Sequence, residues 1–137
     1  MTVELAVLTW GCVLALVHIF AAAAAKTAQY GSKWNMGARD AELPRPNPLN
    51  GRLVRAQNNF FETFPIVIAL ILTLSAAGMA SETTAMGALL WLGARIIYLP
   101  LYALGIPVVR TLVFLASVVG IAMLGSPLIG PALSALF

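Results

Sequence analysis

Residues 5–25 read LAVLTWGCVLALVHIFAAAAA, twenty-one positions without a charged side chain. A helix crosses the ~30 Å hydrocarbon layer of a bilayer with about 20 apolar residues, so this stretch predicts a membrane span. A secretory leader is the competing reading, with the alanines at 21–25 as a small-residue cleavage region. Glu4 instead of a basic leading segment, and an apolar run longer than a leader's, favour a retained helix. Working outward, further spans are predicted at about 60–79, 85–104 and 108–125. Pro65 lies near the start of the second, and Pro100 predicts a kink in the third. Gly105 and Pro107 punctuate the turn into the fourth, whose end is predicted by Gly125, Pro127, Gly130 and Pro131.

Composition agrees with four crossings and little else. Of 137 residues, 61% are hydrophobic and 9% are charged, where a soluble domain carries roughly 25% charged residues. Neither a water-facing surface nor a disordered chain can be built from this mixture. The expected fold is an all-α membrane protein, one four-helix bundle occupying residues 1–137. Its single cysteine, Cys12, permits no internal disulfide. There is no phosphate-cradling glycine loop and no metal-ligand spacing of histidines or cysteines. The basic residues flank the membrane instead of forming a patch for nucleic acid, so the expected surroundings are lipid.

The charges are sharply sorted. Lys26, Lys33, Arg39, Arg45, Arg52 and Arg55 lie in the 26–55 loop, and Arg110 follows the turn between the third and fourth spans. The N-terminus, the turn around Glu82 and the C-terminal tail carry no Lys or Arg. Basic short loops stay in the cytoplasm, which puts both termini on the non-cytoplasmic side. Pro44, Pro46 and Pro48 make the loop either an irregular ordered cap or a mobile flap.

What stays polar at membrane depth carries the chemistry. Arg52, Arg55, Asn59 and Glu62 are spaced i, i+3, i+7 and i+10, one stripe about 80° wide on the second span. Arg95, Tyr98 and Tyr102 form a second stripe at i, i+3 and i+7. At 1.5 Å per residue, Glu62 lies ~10 Å from the cytosolic end of its helix and Arg95 about 13 Å from the cytosolic end of its own, so these opposite charges are expected to meet. An intramembrane charge costs roughly 2.5–3.5 kcal/mol even on insertion scales. A structural ion pair between spans would relieve that cost. It would also leave Arg55, Asn59 and the two tyrosines without a task, and a polar pocket for an anionic ligand accounts for all of them. Arg110 is either a membrane-surface anchor or a cation at the pocket's rim, able to stabilise a thiolate. His18 is expected to be a hydrogen-bonded packing residue, and Cys12 an inert apolar one. Trp10, Trp34 and Trp91 are expected as interface or packing aromatics.

The segment from Arg52 through Arg55, Ala56, Gln57, Asn59 and Glu62 to Pro65 resembles the signature of the MAPEG family, membrane-associated proteins of eicosanoid and glutathione metabolism. Arg95, Tyr98 and Tyr102, followed by a basic residue opening the fourth span, resemble its second conserved cluster. The resemblance covers nearly the whole chain and is nearest to bacterial members, which implies a bacterial inner membrane. It implies a homotrimer with glutathione as co-substrate between subunits. It further implies Arg52, Arg55, Gln57, Asn59, Glu62, Arg95, Tyr98 and Tyr102 as binding residues, with Arg110 activating the thiol. Thr111 falls where one catalytic member has a serine. The Tyr102–Arg110 spacing departs from that of well-known members, and no arginine ends the first span, where Lys26 or Lys33 stands instead. The implied function is a glutathione-dependent transferase or peroxidase acting on lipophilic electrophiles or lipid hydroperoxides. The alternative is a non-catalytic lipid- or glutathione-binding protein of the same fold. A transporter built on Arg95 and Glu62 is disfavoured by small size and the lack of paired discontinuous helices.

Overall fold

The computed structural model describes residues 1–137 and contains five helices: α1 (Val3–Tyr30), α2 (Ser32–Met36), α3 (Pro48–Ala77), α4 (Glu82–Leu104) and α5 (Pro107–Ser134). All but α2 are long and apolar enough to cross a membrane. Three of the starts have a side-chain cap. Thr2 Oγ1 accepts from Leu5 N to cap α1, and Asn47 Oδ1 accepts from Asn50 N at 2.8 Å to cap α3, with Pro48 preset for the first turn. Ser81 and Thr84 form a reciprocal capping box on α4. Gly78 and Gly105 end α3 and α4 at φ of 64° and 75°, left-handed backbone that a side chain disfavours.

The helices outrun the predicted spans. Five residues of the 26–55 loop extend α1, and eight more open α3, because Asn47 and Pro48 supply a stronger start signal than the proline-rich composition suggests. At the other end α5 continues through Pro127 and Pro131 to Ser134 instead of stopping near 125. Proline removes one ladder bond, and membrane helices tolerate the loss where neighbouring groups re-satisfy the backbone. Ser126 Oγ donates to Met123 O at 3.1 Å and Ser134 Oγ to Gly130 O at 3.1 Å, on either side of the prolines.

What remains of the loop is an ordered cap tied to α1. Gln29 Nε2 donates to Arg45 O at 2.9 Å, while its Oε1 accepts from Asn47 N at 2.8 Å and Asn50 Nδ2 at 3.0 Å. Tyr30 OH donates to Pro44 O at 3.0 Å. One amide thus fixes two loop groups and the first turn of α3. Gln29→Leu is expected to release residues 37–46 and speed their cleavage by a limiting protease roughly 5- to 30-fold. That corresponds to losing about 1–2 kcal/mol of local hydrogen bonding, and the helical content should stay unchanged.

Packing centres on α1, α3 and α4. Val7, Leu14, Phe60, Phe64, Val67, Ile71, Leu74, Trp91 and Leu124 fill the interior. Phe64 and Trp91 stack at 5.7 Å, and His18 stacks on Phe60 at 4.6 Å. His18 is a packing residue stacked on Phe60, but neither ring nitrogen is hydrogen-bonded as expected. Glu4 is buried too and accepts a hydrogen bond from Thr84 Oγ1, latching the start of α1 to the start of α4. α5 packs chiefly on α4, where Gly87 and Gly120 let the two backbones touch. Only 24 of the 137 residues are buried. The outward face is therefore mostly apolar side chain, as a lipid-facing bundle requires.

Candidate functional site

Arg95 is fully buried on α4, one turn beyond Trp91. Its Nη1 donates to Asn59 Oδ1 at 2.6 Å and its Nη2 to Thr63 Oγ1 at 2.7 Å. The guanidinium also lies 5.4 Å from the Tyr98 ring centre and 5.2 Å from that of Phe114. Both acceptors come from one flank of α3, since positions i and i+4 stand about 40° apart.

The expected meeting of Arg95 with Glu62 does not occur. Glu62 lies about 60° round α3 on the other side of Asn59, and its side chain is exposed. Arg95 therefore keeps a net positive charge held by neutral groups, a stronger pull on a bound anion than a neutralised pair would give.

In front of Arg95 opens a cleft of about 150 Å³ lined by Asn59, Tyr98, Tyr102, Arg110, Thr111 and Phe114. The tyrosines meet edge to face at 5.4 Å, and Arg110 lies 4.5 Å over the Tyr102 ring. That stacking fixes the guanidinium plane while leaving its edge N–H groups available. Arg110 also sits in the first turns of α5, whose free backbone N–H groups carry partial positive charge. A cation there gains nothing from the helix, so the two positive features add toward an anion. Thr111 Oγ1 donates to Pro107 O at 3.1 Å, leaving its lone pairs open to a donor.

Four of the expected site residues thus converge: Asn59, Tyr98, Tyr102 and Arg110. Arg95 stands behind the cleft as the group that positions Asn59, instead of lining it. Arg52 is turned away, its Nη1 donating to Ala103 O at 3.3 Å while its guanidinium covers Gly105. A cation at the negative end of α4 caps that helix, so Arg52 is a clamp on the α4–α5 turn in this chain. Arg55 is exposed and lies back along Gly51. Gln57 faces about 160° from Asn59 and lines a separate cleft with Lys26, Trp34, Asn35 and Arg39. Sequence reasoning missed Thr63 and Phe114. Each follows a recognised site residue by one helical turn (Asn59 and Arg110), and that spacing was the available signal.

No curated protein matches the chain. The MAPEG family profile matches residues 7–129, spanning all four membrane helices and both clefts. The chain therefore belongs to the MAPEG family, membrane proteins generally associated with glutathione-dependent transfer or peroxidase chemistry.

Proposed function

We propose that this protein is a glutathione-dependent membrane enzyme that transfers the thiolate to lipophilic electrophiles or reduces lipid hydroperoxides. The observation that carries the reading is the stacked Arg110 facing Tyr98 and Asn59, with Arg95 behind it. Glutathione brings two carboxylates, one ammonium and a thiol. Arg95, Arg110 and the start of α5 favour its anionic groups.

A cleft of about 150 Å³ is smaller than the roughly 300 Å³ at which ligand pockets begin. The unused polar residues lie on opposite flanks of α3: Arg55 and Glu62 on one, Gln57 on the other. Both facts support a homotrimer in which neighbouring copies complete each site, Gln57 arriving from the adjacent chain. The basic loop supports an orientation with the site toward the cytoplasm and both termini outside.

In the reaction, Arg110 favours loss of the thiol proton to water and holds the thiolate. In transfer, sulfur attacks an electrophilic carbon, forming an S–C bond as the leaving group departs with its electron pair. In peroxide reduction, it attacks the terminal oxygen and breaks the O–O bond. The alkoxide takes a proton and leaves as the alcohol, and a second glutathione converts the sulfenic acid to disulfide and water. Lipophilic acceptors reach the site from the surrounding bilayer.

The test is thiolate ultraviolet absorbance and turnover of a generic electrophile by purified protein. Arg110→Ala is expected to abolish the thiolate band and lower turnover on the order of 10²- to 10³-fold, with folding intact. Binding of glutathione without thiolate or turnover in the wild type would assign the protein to non-catalytic binders. No binding at millimolar glutathione would reject the enzyme and leave a lipid-binding protein of the same fold.

A further inference from the structure

We propose that Arg52 is a positioning residue for Arg110: it clamps the α4–α5 turn from α3 and thereby sets where Arg110 stands. The kinetic consequence rests on the glutathione reading, and the clamp itself does not.

Among the long helices, α5 is the one that does not fix its own start. Thr2, Asn47 and Ser81 cap α1, α3 and α4 with side-chain hydrogen bonds, whereas Ile106 gives α5 none. Arg110 is the fourth residue of that helix, and only Gly105 and Ile106 join it to α4. A shift of this turn therefore moves Arg110 against Tyr102, over whose ring it lies at 4.5 Å.

The turn has one gap in its own bonding. Gly105 N donates to Tyr102 O at 3.0 Å and Ile106 N to Leu101 O at 3.1 Å, the pattern of a glycine helix stop. The next carbonyl, Ala103 O, would be served by residue 107 in a continuing helix, but Pro107 has no N–H. Arg52 supplies the missing donor, its Nη1 at 3.3 Å. Its Cζ, Nη1 and Nη2 also stand 2.5–2.8 Å from where a Cβ at 105 would be. Glycine thus serves twice at 105, for the left-handed φ of 75° and for the room that Arg52 occupies. The base of the clamp is fixed as well. Asn47 caps α3, and Asn50 Nδ2 donates to Gln29 Oε1 on α1 at 3.0 Å.

The family resemblance makes Arg52 a ligand contact, and the two roles differ in kinetics. A lost ligand contact raises the glutathione KM. A lost clamp leaves Asn59, Arg95 and Tyr98 in place on α3 and α4 and displaces the group that holds the thiolate. The experiment compares Arg52→Gln, Gly105→Asn and their combination in the purified full-length protein. Asn tolerates the left-handed region, so Gly105→Asn keeps the turn and the Arg52 charge while evicting the guanidinium. Hydrogen exchange of the Gly105 and Ile106 amides is expected to speed up about tenfold in both single variants. At neutral pH kcat should fall about tenfold and be regained at higher pH, as the bound thiol then ionises about one unit later. The KM should stay within about twofold, and the combination should be no worse than either single, because both break one contact. Unchanged exchange overturns the clamp. A KM raised about tenfold with an unmoved pH limb overturns it too and makes Arg52 a ligand contact. A wild type with neither thiolate nor turnover rejects the glutathione reading and the kinetic consequence, while exchange still decides the clamp. Should Arg52→Gln fold poorly, Gly105→Asn carries the same test.

Discussion

Gly120→Val is expected to be among the most damaging single changes in this protein. A Cβ at 120 would stand 2.6 Å from Gly87 O, 2.8 Å from Trp91 N and 3.1 Å from Trp91 Cβ. Two of these neighbours are backbone atoms of α4, which cannot rotate aside as a side-chain tip can. The helices must separate, and separation opens the close backbone seam at Gly87 and Gly120. Overpacking of this kind costs roughly 1–3 kcal/mol, and lost contact between the helices adds to it. A fall of about 3–4 kcal/mol in detergent unfolding is expected. The cleft should fail with it, since Tyr98 and Tyr102 come from α4 and Arg110 and Phe114 from α5. Gly93→Ala is the control. A Cβ there meets nothing within 4 Å, so the better helix former should be neutral or stabilise by up to about 1 kcal/mol. If both changes behave alike, close α4–α5 packing is not what holds the site together.

Some of this was legible in the chain itself. The long apolar runs announced four spans, interrupted only by Glu62, Arg95 and Arg110, because a charge in lipid is costly and few are tolerated. Asn59, Tyr98, Tyr102 and Arg110 could be picked out because helical spacing groups side chains on a face before any partner is known. What spacing cannot supply is how each face turns toward its neighbours. Depth along the axis matched Glu62 with Arg95, yet rotation about α3 gave Arg95 to Asn59 and Thr63. Arg52 belongs to the same stripe and still serves the end of α4, because Gly105 leaves room for it there. Gln57 is instructive in the opposite sense. Its two-residue offset from Asn59 already placed it on the far flank, a geometry that the family signature obscured. Burial of Glu4 had no local signal at all, since its partner Thr84 lies eighty positions away.

The rotation of α3 makes the second large effect predictable. Asn59→Leu removes the acceptor of Arg95 Nη1 and leaves a fully buried guanidinium with one hydrogen-bonded partner, Thr63. Stranding a buried charge in this way costs roughly 3–5 kcal/mol, more than removing the charge. Arg95→Met keeps most of the volume and deletes the ion, so the expected loss is only about 1–2 kcal/mol, from Asn59 and Thr63 seeking new partners. Combining the two should recover stability relative to Asn59→Leu, a coupling of about 2 kcal/mol in a double-mutant cycle read by detergent unfolding. Ligand binding separates from stability in the same set. Every variant lacking Arg95 or Asn59 should lose glutathione affinity, the stabilised double variant included, because the positive potential behind the cleft or its Asn59 wall is gone. Were the double variant to bind glutathione as the wild type does, Arg95 would be a packing device and the anion site would have to be sought elsewhere. An Asn59→Leu protein as stable as Arg95→Met would instead mean that water reaches the guanidinium, placing Arg95 inside the cleft rather than behind it.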